Sequence, residues 1–394
     1  MTRYRLQPTQ EQEVTLRTHC GHARFVWNLA CEQQLHWRPG RPGAPGLAEQ
    51  CRQLSEARRA FDWLAAGSAV VQQQALRDFA QAMEKFWHRT HGRPSWRKAG
   101  RHEGFRIVGV KPQHIRRLNA NVGAVYIPKA GWVRFRWSRL VPAGAKSYRV
   151  TLDPAGRWHI GFAVIPEPIP GPGTGEIVGI DRGIAVSAAL STGELLSMPR
   201  LSPAQRRRLR QLTRKLSRGK RGSRRRARAR NQAARLHAKQ TDIRRDWSEK
   251  TSTAIARRFD VIRIEDLKIR NMTRSARGSP DKPGRNVEQK SGMNREILAS
   301  GWGKLARRLE DKAPGRVQRV RPAYTSQRCS ACGHIAPESR KNQALFVCVS
   351  CRYACNADVN AARNIAAGHA VTARGGLREA GPGNREPQRV LFLA

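Results

Sequence analysis

Four cysteines, Cys329, Cys332, Cys348 and Cys351, constrain this chain more than any other feature. They form two C-x2-C pairs separated by fifteen residues, 333–347. Thiolates at that spacing can both reach one ion, and two such pairs complete a tetrahedral site. The stretch between them is polar and closes on the apolar run Leu345-Phe346-Val347, as a ribbon of short strands around a metal requires. Two disulfides would use the same cysteines, but nothing else in the chain points to an oxidising compartment. The spacing therefore predicts a structural zinc ribbon, with one Zn2+ held by four thiolates and no coordination position left for water. Cys20, Cys31, Cys51 and Cys355 have no partners at ligand spacing and read as buried free thiols.

The 394 residues allow two or three domains with cores of their own. Lys and Arg number 75 against 29 acids, a formal charge of +46. Such an excess repels itself unless a polyanion neutralises it, so nucleic acid is the expected partner. No secretory signal and no apolar run of about 18 residues is present, so no membrane partner is expected and the location reads as cytoplasmic. The basic residues are concentrated: 201–230 holds fourteen Arg or Lys and no acid. Leu209, Leu212 and Leu216 keep a helical stripe through this block, and 219–222 turns it into a second helix. The block reads as a basic helical hairpin whose Arg206, Arg207, Arg208, Arg210, Arg214, Lys215, Arg224, Arg225 and Arg226 are candidates for phosphate contact.

Elsewhere the texture changes along the chain. A short strand at Tyr4-Arg5-Leu6 precedes a helical stretch from about 10 to 92, with a Pro/Gly break at 39–46 and with Trp27, Phe79 and Trp87 read as core aromatics. Strand patterns over 104–165 suggest a small β-barrel with outward Arg134, Arg136 and Arg139. After the Pro/Gly linker at 166–173, the apolar strand Ile177-Val178-Gly179-Ile180 ends in Asp181. A second strand, 259–264, ends in Glu265-Asp266. Residues 271–292 read as a loop or lid, 296–311 as a helix, 317–320 as a strand, and 370–394 as a disordered tail.

Three acids thus stand at element ends: Asp181, Glu265 and Asp358, the last at the mouth of a short helix. Each alone has a plain reading. Asp181 fits a turn, Asp266 could replace Glu265, and Asp358 fits a helix N-cap. Together they are what an RNase H-like fold uses to hold two Mg2+, because hard cations prefer carboxylate oxygens.

The order of motifs is similar to that of the TnpB family of insertion-sequence proteins, relatives of miniature type V CRISPR effectors. The matching segments are Tyr4-Arg5-Leu6-x-Pro8-Thr9, Gly179-Ile180-Asp181-x-Gly183, Ile264-Glu265-Asp266-Leu267, Thr325-Ser326-Gln327-x-Cys329-x-x-Cys332-Gly333 and Asn356-Ala357-Asp358-x-Asn360-Ala361-Ala362-x-Asn364-Ile365. Arg182 stands where the family usually has an apolar or small residue. The resemblance implies a multidomain α+β protein. Its parts would be a β-barrel wedge domain (1–9 and 104–170), a helical recognition domain (10–103), a split RuvC-like α/β nuclease domain (171–320 and 355–369) and an inserted zinc ribbon (321–354). It also implies that Asp181, Glu265 and Asp358 are the catalytic, Mg2+-binding acids. The partners would be a guide RNA from the end of the protein's own element and double-stranded target DNA beside a short flanking motif. The alternatives are a catalytically silent nucleic-acid-binding regulator and a transposase acting in strand transfer. Loss of any one acid would favour the first, and all three are present. The tyrosine form of the second needs a Tyr beside a His-hydrophobic-His motif, which none of the five tyrosines has.

Overall fold

The computed structural model describes residues 2–36 and 43–368, in two units. The tail expected over 370–394 and the start of the 39–46 break lie outside the described residues.

One unit comprises Met1–Pro168 and Pro199–Trp247. Its centre is a seven-stranded antiparallel sheet, and the strand nearest the N-terminus, Thr2–Gln7, lies in its middle. That strand pairs through Arg3 and Tyr4 with Gly161 and Ile160, and through Leu6 and Gln7 with Phe135 and Arg134. Tyr4 and Leu6 point to the same face by the two-residue period of a strand, and both are buried. The Tyr4 hydroxyl is satisfied by donating to the Leu140 carbonyl at 2.7 Å. Thr9 and Gln12 then form a reciprocal capping box that starts the helix Gln10–Leu35. The Gln12 amide also reaches the carbonyls of Ala130 and Trp132, fixing the helix to the sheet.

Helices Leu47–Ala60 and Ala69–Trp87 follow. Leu16, Cys20, Val26, Trp27, Phe79 and Met83 join Val125, Phe135, Ile160 and Phe162 in one hydrophobic cluster. The helical stretch and the strands therefore share a core. Trp27 and Phe79 meet edge-to-face with centroids 5.2 Å apart, as core aromatics do. Trp87 departs from that expectation: at the last turn of its helix it is 64% exposed. Cys20 and Cys31 are buried thiols, whereas Cys51 is only half-buried.

The basic hairpin forms as expected, from Pro203–Arg218 and the long helix that begins at Arg224. Leu212 packs on Ala229 and Ala233, and Ser202 caps the first helix through a second capping box with Gln205. Asp242 of the long helix is held by Arg157 at 2.7 Å and by Arg3 at 3.4 Å.

The other unit, Ile169–Met198 and Ser248–Ala394, is built on a five-stranded mixed sheet. Its order is Leu195–Leu196, Ala188–Leu190, Ile177–Asp181, Val261–Glu265, Val317–Val320. The last three strands run parallel, and the first two continue antiparallel from Ile177–Asp181. Val178, Ile180, Ile262 and Ile264, at two-residue spacing and in register, make one fully buried face of the sheet. The helix Ala357–Ala366 lies across this sheet. It approaches closest at Gly179, where a Cβ would stand 2.0 Å from the Ala362 carbonyl oxygen and 2.3 Å from the Ala366 nitrogen. Only glycine allows that crossing.

Two readings need correction here. The single helix expected over 296–311 is two, Val287–Ser300 and Trp302–Lys312, broken at Gly301 with φ +76°. The 271–292 segment is partly helical at both ends and is tied back by an isolated bridge between Gly278 and Pro283. Its Gly, Pro and Ser content signals the turn in the middle, not the helix that follows.

Candidate active site and four-cysteine centre

Asp181 and Glu265 are the last residues of neighbouring parallel strands. Because Ile180 pairs with Ile264, both acids leave the same end of the sheet. Asp358 arrives from the opposite direction, in the first turn of Ala357–Ala366. The N-cap there is Asn356, whose Oδ1 accepts from the amides of Asp358 and Val359 at 3.0 and 3.2 Å. The Asp358 carboxylate is therefore not used as a cap and is free for other work.

Asp181 senses both of the other acids. Burial, then the charges of Glu265 and Asp358, push the Asp181 carboxyl up to about 8. Burial also raises Glu265 and Asp358 above the ordinary carboxylate range. Glu265 is 8% exposed and accepts from the Thr325 hydroxyl at 2.7 Å. Asp266 has the opposite environment: it pairs with Lys268 at 2.5 Å and Arg319 at 3.0 Å, and those hydrogen bonds lower its pKa. The structure thus brings Asp181, Glu265 and Asp358 together and turns Asp266 away.

Two arginines frame this cluster. Arg340, from the ribbon, forms an ion pair with Asp358 at 3.2 Å, and its charge also lowers Asp181 and Glu265. Arg182 is buried, and its guanidinium donates to the backbone carbonyls of Glu265 and Trp302. The Trp302 indole donates in return to the Gly183 carbonyl at 2.9 Å. Arg182 therefore ties the end of one acid strand to the end of the other. Sequence reasoning noted its charge but not these bonds. It missed Arg340 and Thr325 as neighbours of the acids; Thr325 lies in a quoted motif, whereas Arg340 carries no local signal.

The four cysteines form a second, tighter cluster, with all four Sγ atoms within 4.8 Å of one another. Cys329 and Cys351 are 3.7 Å apart, Cys332 and Cys348 3.6 Å. A tetrahedron of Zn–S bonds of about 2.3 Å has edges of about 3.8 Å, so the sulfur set fits a zinc ion. The backbone amides of Cys351 and Ser350 help hold the Cys348 thiol down to about 6, while Cys329 and Cys351 in the same cluster are raised, as sulfurs sharing protons at this separation would be. Both pairs close by the same turn. Cys329 N donates to His334 O and Cys348 N to Tyr353 O, with Gly333 and Arg352 in the left-handed region. Cys355 lies outside the cluster, opposite Phe346 in the two-stranded sheet of Leu345–Val347 and Ala354–Asn356.

Asparagines join the two centres. Asn360 donates to Arg328 O and accepts from Ser330 N, while Asn364 donates to Thr325 O and Arg328 O. At four-residue spacing they share one helix face, so the helix carrying Asp358 is fastened to the first turn of the ribbon.

Of the nine basic candidates on the hairpin, eight are exposed, including Arg206, Arg207, Arg210, Arg214, Lys215, Arg224 and Arg225. Arg208 is also exposed but bonds Gln232, and Arg226 is spent inside the hairpin, capping the first helix at Leu216 O and Gly219 O.

The chain is 37% identical to the putative RNA-guided DNA endonuclease InsQ of Escherichia coli K12, over 99% of this chain and 97% of that protein. The chain belongs to the TnpB family. A putative RNA-guided DNA endonuclease of Streptomyces pristinaespiralis is 31% identical over 98% of this chain and 96% of that one. Residues 161–276 match the family described as a probable transposase, OrfB_IS605, and residues 302–365 match a Cas12f1-like TNB domain. A helix-turn-helix family matches 1–39, where the structure places a strand and one long helix. Among solved structures, the Cas12f1 chain of a complex with sgRNA and target DNA aligns with TM-score 0.54 and 16% identity, over 90% of this chain and 83% of that one. This likeness places the TnpB-family chain in a multidomain α+β fold with mixed sheets. Among the described residues no helix is long and apolar enough to cross a membrane.

Proposed function

We propose that this protein is an RNA-guided DNA endonuclease of a transposable element, cutting DNA that pairs with its guide and lies beside a short flanking motif. One observation carries the reading: three carboxylates, buried Glu265 and half-buried Asp181 and Asp358, converge at one end of a sheet from two parallel strands and a crossing helix. The curated relatives of nearly full length share that named activity. In this reading, the five-stranded sheet and its crossing helix form an RuvC-like nuclease domain split by the zinc ribbon. Residues 10–103 serve as a recognition domain, and 1–9 with 104–170 as a β-barrel wedge.

Asp181, Glu265 and Asp358 would hold two Mg2+. Their donor set is hard oxygen only, and burial raises all three carboxyls above the ordinary range, a penalty on the charged form that a bound cation would relieve. Bound divalent ions supply a water that ionises near neutral pH and positive charge beside the leaving 3′-oxygen. The protein's own groups do the rest. Thr325 holds the Glu265 carboxylate in one orientation, and Arg182 holds the strand end behind it. Arg340 brings a positive charge to the acids, where it can meet a phosphate as negative charge gathers on its oxygens. The cysteine site, closed by four thiolates, is structural and holds Arg340 and the Asp358 helix in place. The exposed arginines of the hairpin would contact nucleic-acid phosphates.

The test is a cleavage assay. The protein is co-expressed with RNA from the end of its element and given Mg2+ and a guide-matched plasmid library randomised beside the target. Cuts that require both guide match and one flanking motif support the reading. RNA retention without cuts, over several guides and temperatures, supports a silent binding protein instead.

A further inference from the structure

One segment of the helical part is used neither by the core nor by the acid site. Residues 88–102 contain five Arg or Lys (Arg89, Arg93, Arg97, Lys98, Arg101), three histidines and no acid. The segment has almost no regular structure, yet it is firmly held. Asn28 bonds the backbone of Arg97 twice, donating to its carbonyl at 3.0 Å and accepting from its amide at 2.7 Å. The Trp27 indole donates to Ser95 O at 3.0 Å, and the Arg97 guanidinium lies 3.6 Å over the Trp27 ring. In the middle of this brace stands Trp96, 52% exposed. Two acids border the segment and both have cationic partners outside it: Glu103 is paired with Arg24 and also accepts from the Gly100 amide, and Asp78 is paired with Arg106 while its charge also reaches Arg97.

A lone surface tryptophan usually needs no explanation. Here the backbone on both sides of it is fixed by buried polar contacts, so the ring is presented without the ordering cost that a loose loop would incur on binding. A rigid aromatic face flanked by cations suits a nucleobase whose stack has been opened, with exposed Lys98 and Arg101 beside it as candidates for phosphate contact, while Arg93 also bonds the Gln34 carbonyl. Base faces are hidden inside a duplex and become available where its strands part. Resting on the guided-endonuclease reading, we propose that Trp96 stacks on the terminal base of the target duplex at the fork where the guide begins to pair. It would replace the stacking that the DNA loses when its first step opens.

The experiment uses the full protein with its guide RNA on two linear targets, one fully paired and one with the first few guide-complementary nucleotides already unpaired. Trp96→Ala should slow cleavage of the paired target roughly tenfold, as expected for one lost stacking contact. The pre-opened target should be cut at the wild-type rate, and guide RNA retention should not change. Trp96→Phe, which keeps a ring, should recover most of the loss. Equal slowing on both targets, no slowing on either, or loss of the guide RNA in Trp96→Ala would each overturn the assignment. If the wild-type complex cut neither target, the endonuclease reading itself would fall, a result separate from any Trp96 effect.

Discussion

The cysteine centre and the acid centre sit in the same unit and are built in opposite ways. The four sulfurs come from one short stretch, 329–351, closed by two copies of the same turn. The three carboxylates come from two strands and a helix whose first and last members are Asp181 and Asp358. A local site can be read from spacing alone, because chain geometry brings its ligands together wherever the rest of the protein folds. A dispersed site depends on strand order and on a helix crossing at one glycine. The difference also divides the chemistry: four sulfurs are set at the spacing of one closed coordination sphere, while burial and two acid neighbours raise the Asp181 carboxyl.

That contrast can be broken at several points. The largest effect is expected from Asp181→Ala, which should reduce DNA cleavage on the order of a thousandfold or more while guide RNA retention stays at wild type. Cleavage at the wild-type rate would remove Asp181 from the mechanism.

Next comes the dependence of one centre on the other. Cys348→Ser, or zinc removal by a chelator, should unfold the ribbon, since metal binding and folding of such sites are one event. Activity should fall with it, because Arg340, Asn360 and Asn364 link the ribbon to the Asp358 helix. Limited proteolysis within 321–354 and zinc content report the unfolding. Full activity in a zinc-free, protease-sensitive protein would show the two centres to be independent.

A smaller effect concerns pH. Burial, then its two acid neighbours, push the Asp181 carboxyl up to about 8 in the metal-free protein, well above the ordinary carboxylate range. The folded state thus keeps a proton that the unfolded chain releases. The stability this group contributes is complete below the unfolded value and is lost as pH rises through the folded one. Without metal, the melting temperature of wild type relative to Asp181→Asn should therefore fall between about pH 5 and pH 8. A difference that rose over this range would contradict the sign of the shift.

The smallest effect is at the crossing. Gly179→Ala forces a Cβ against the Ala362 carbonyl and should cost about 1–3 kcal/mol by overpacking. It should also reduce cleavage by moving Asp358. Denaturant unfolding and the cleavage rate, measured together, test whether the two losses travel together.

Much of this was legible beforehand. The apolar strand into Asp181 and the cysteine spacing are local signals, and each formed as its residues require. The leucine stripe of 209, 212 and 216 likewise gave a packed hairpin in a block of arginines. Other features carried no such signal. Trp87 follows the same helical period as Phe79 but falls at the helix end, where no neighbour covers it. Arg226 is one basic residue among many until the turn at Gly219 places carbonyls within its reach.

The sequence by itself determined the four-cysteine cluster, the basic hairpin and the identity of the helix and strands that bear the acids, because each depends on residues within a turn or two of one another. Tertiary structure alone decided between Glu265 and Asp266, which differ in sequence by one step and in the fold by opposite faces of a strand end. One points to Thr325 and the buried acids, the other to Lys268 and Arg319. It also supplied Arg340 and the bonds of Arg182, because a side chain's electrostatic partners are set by which elements pack together, and that is not written in local spacing.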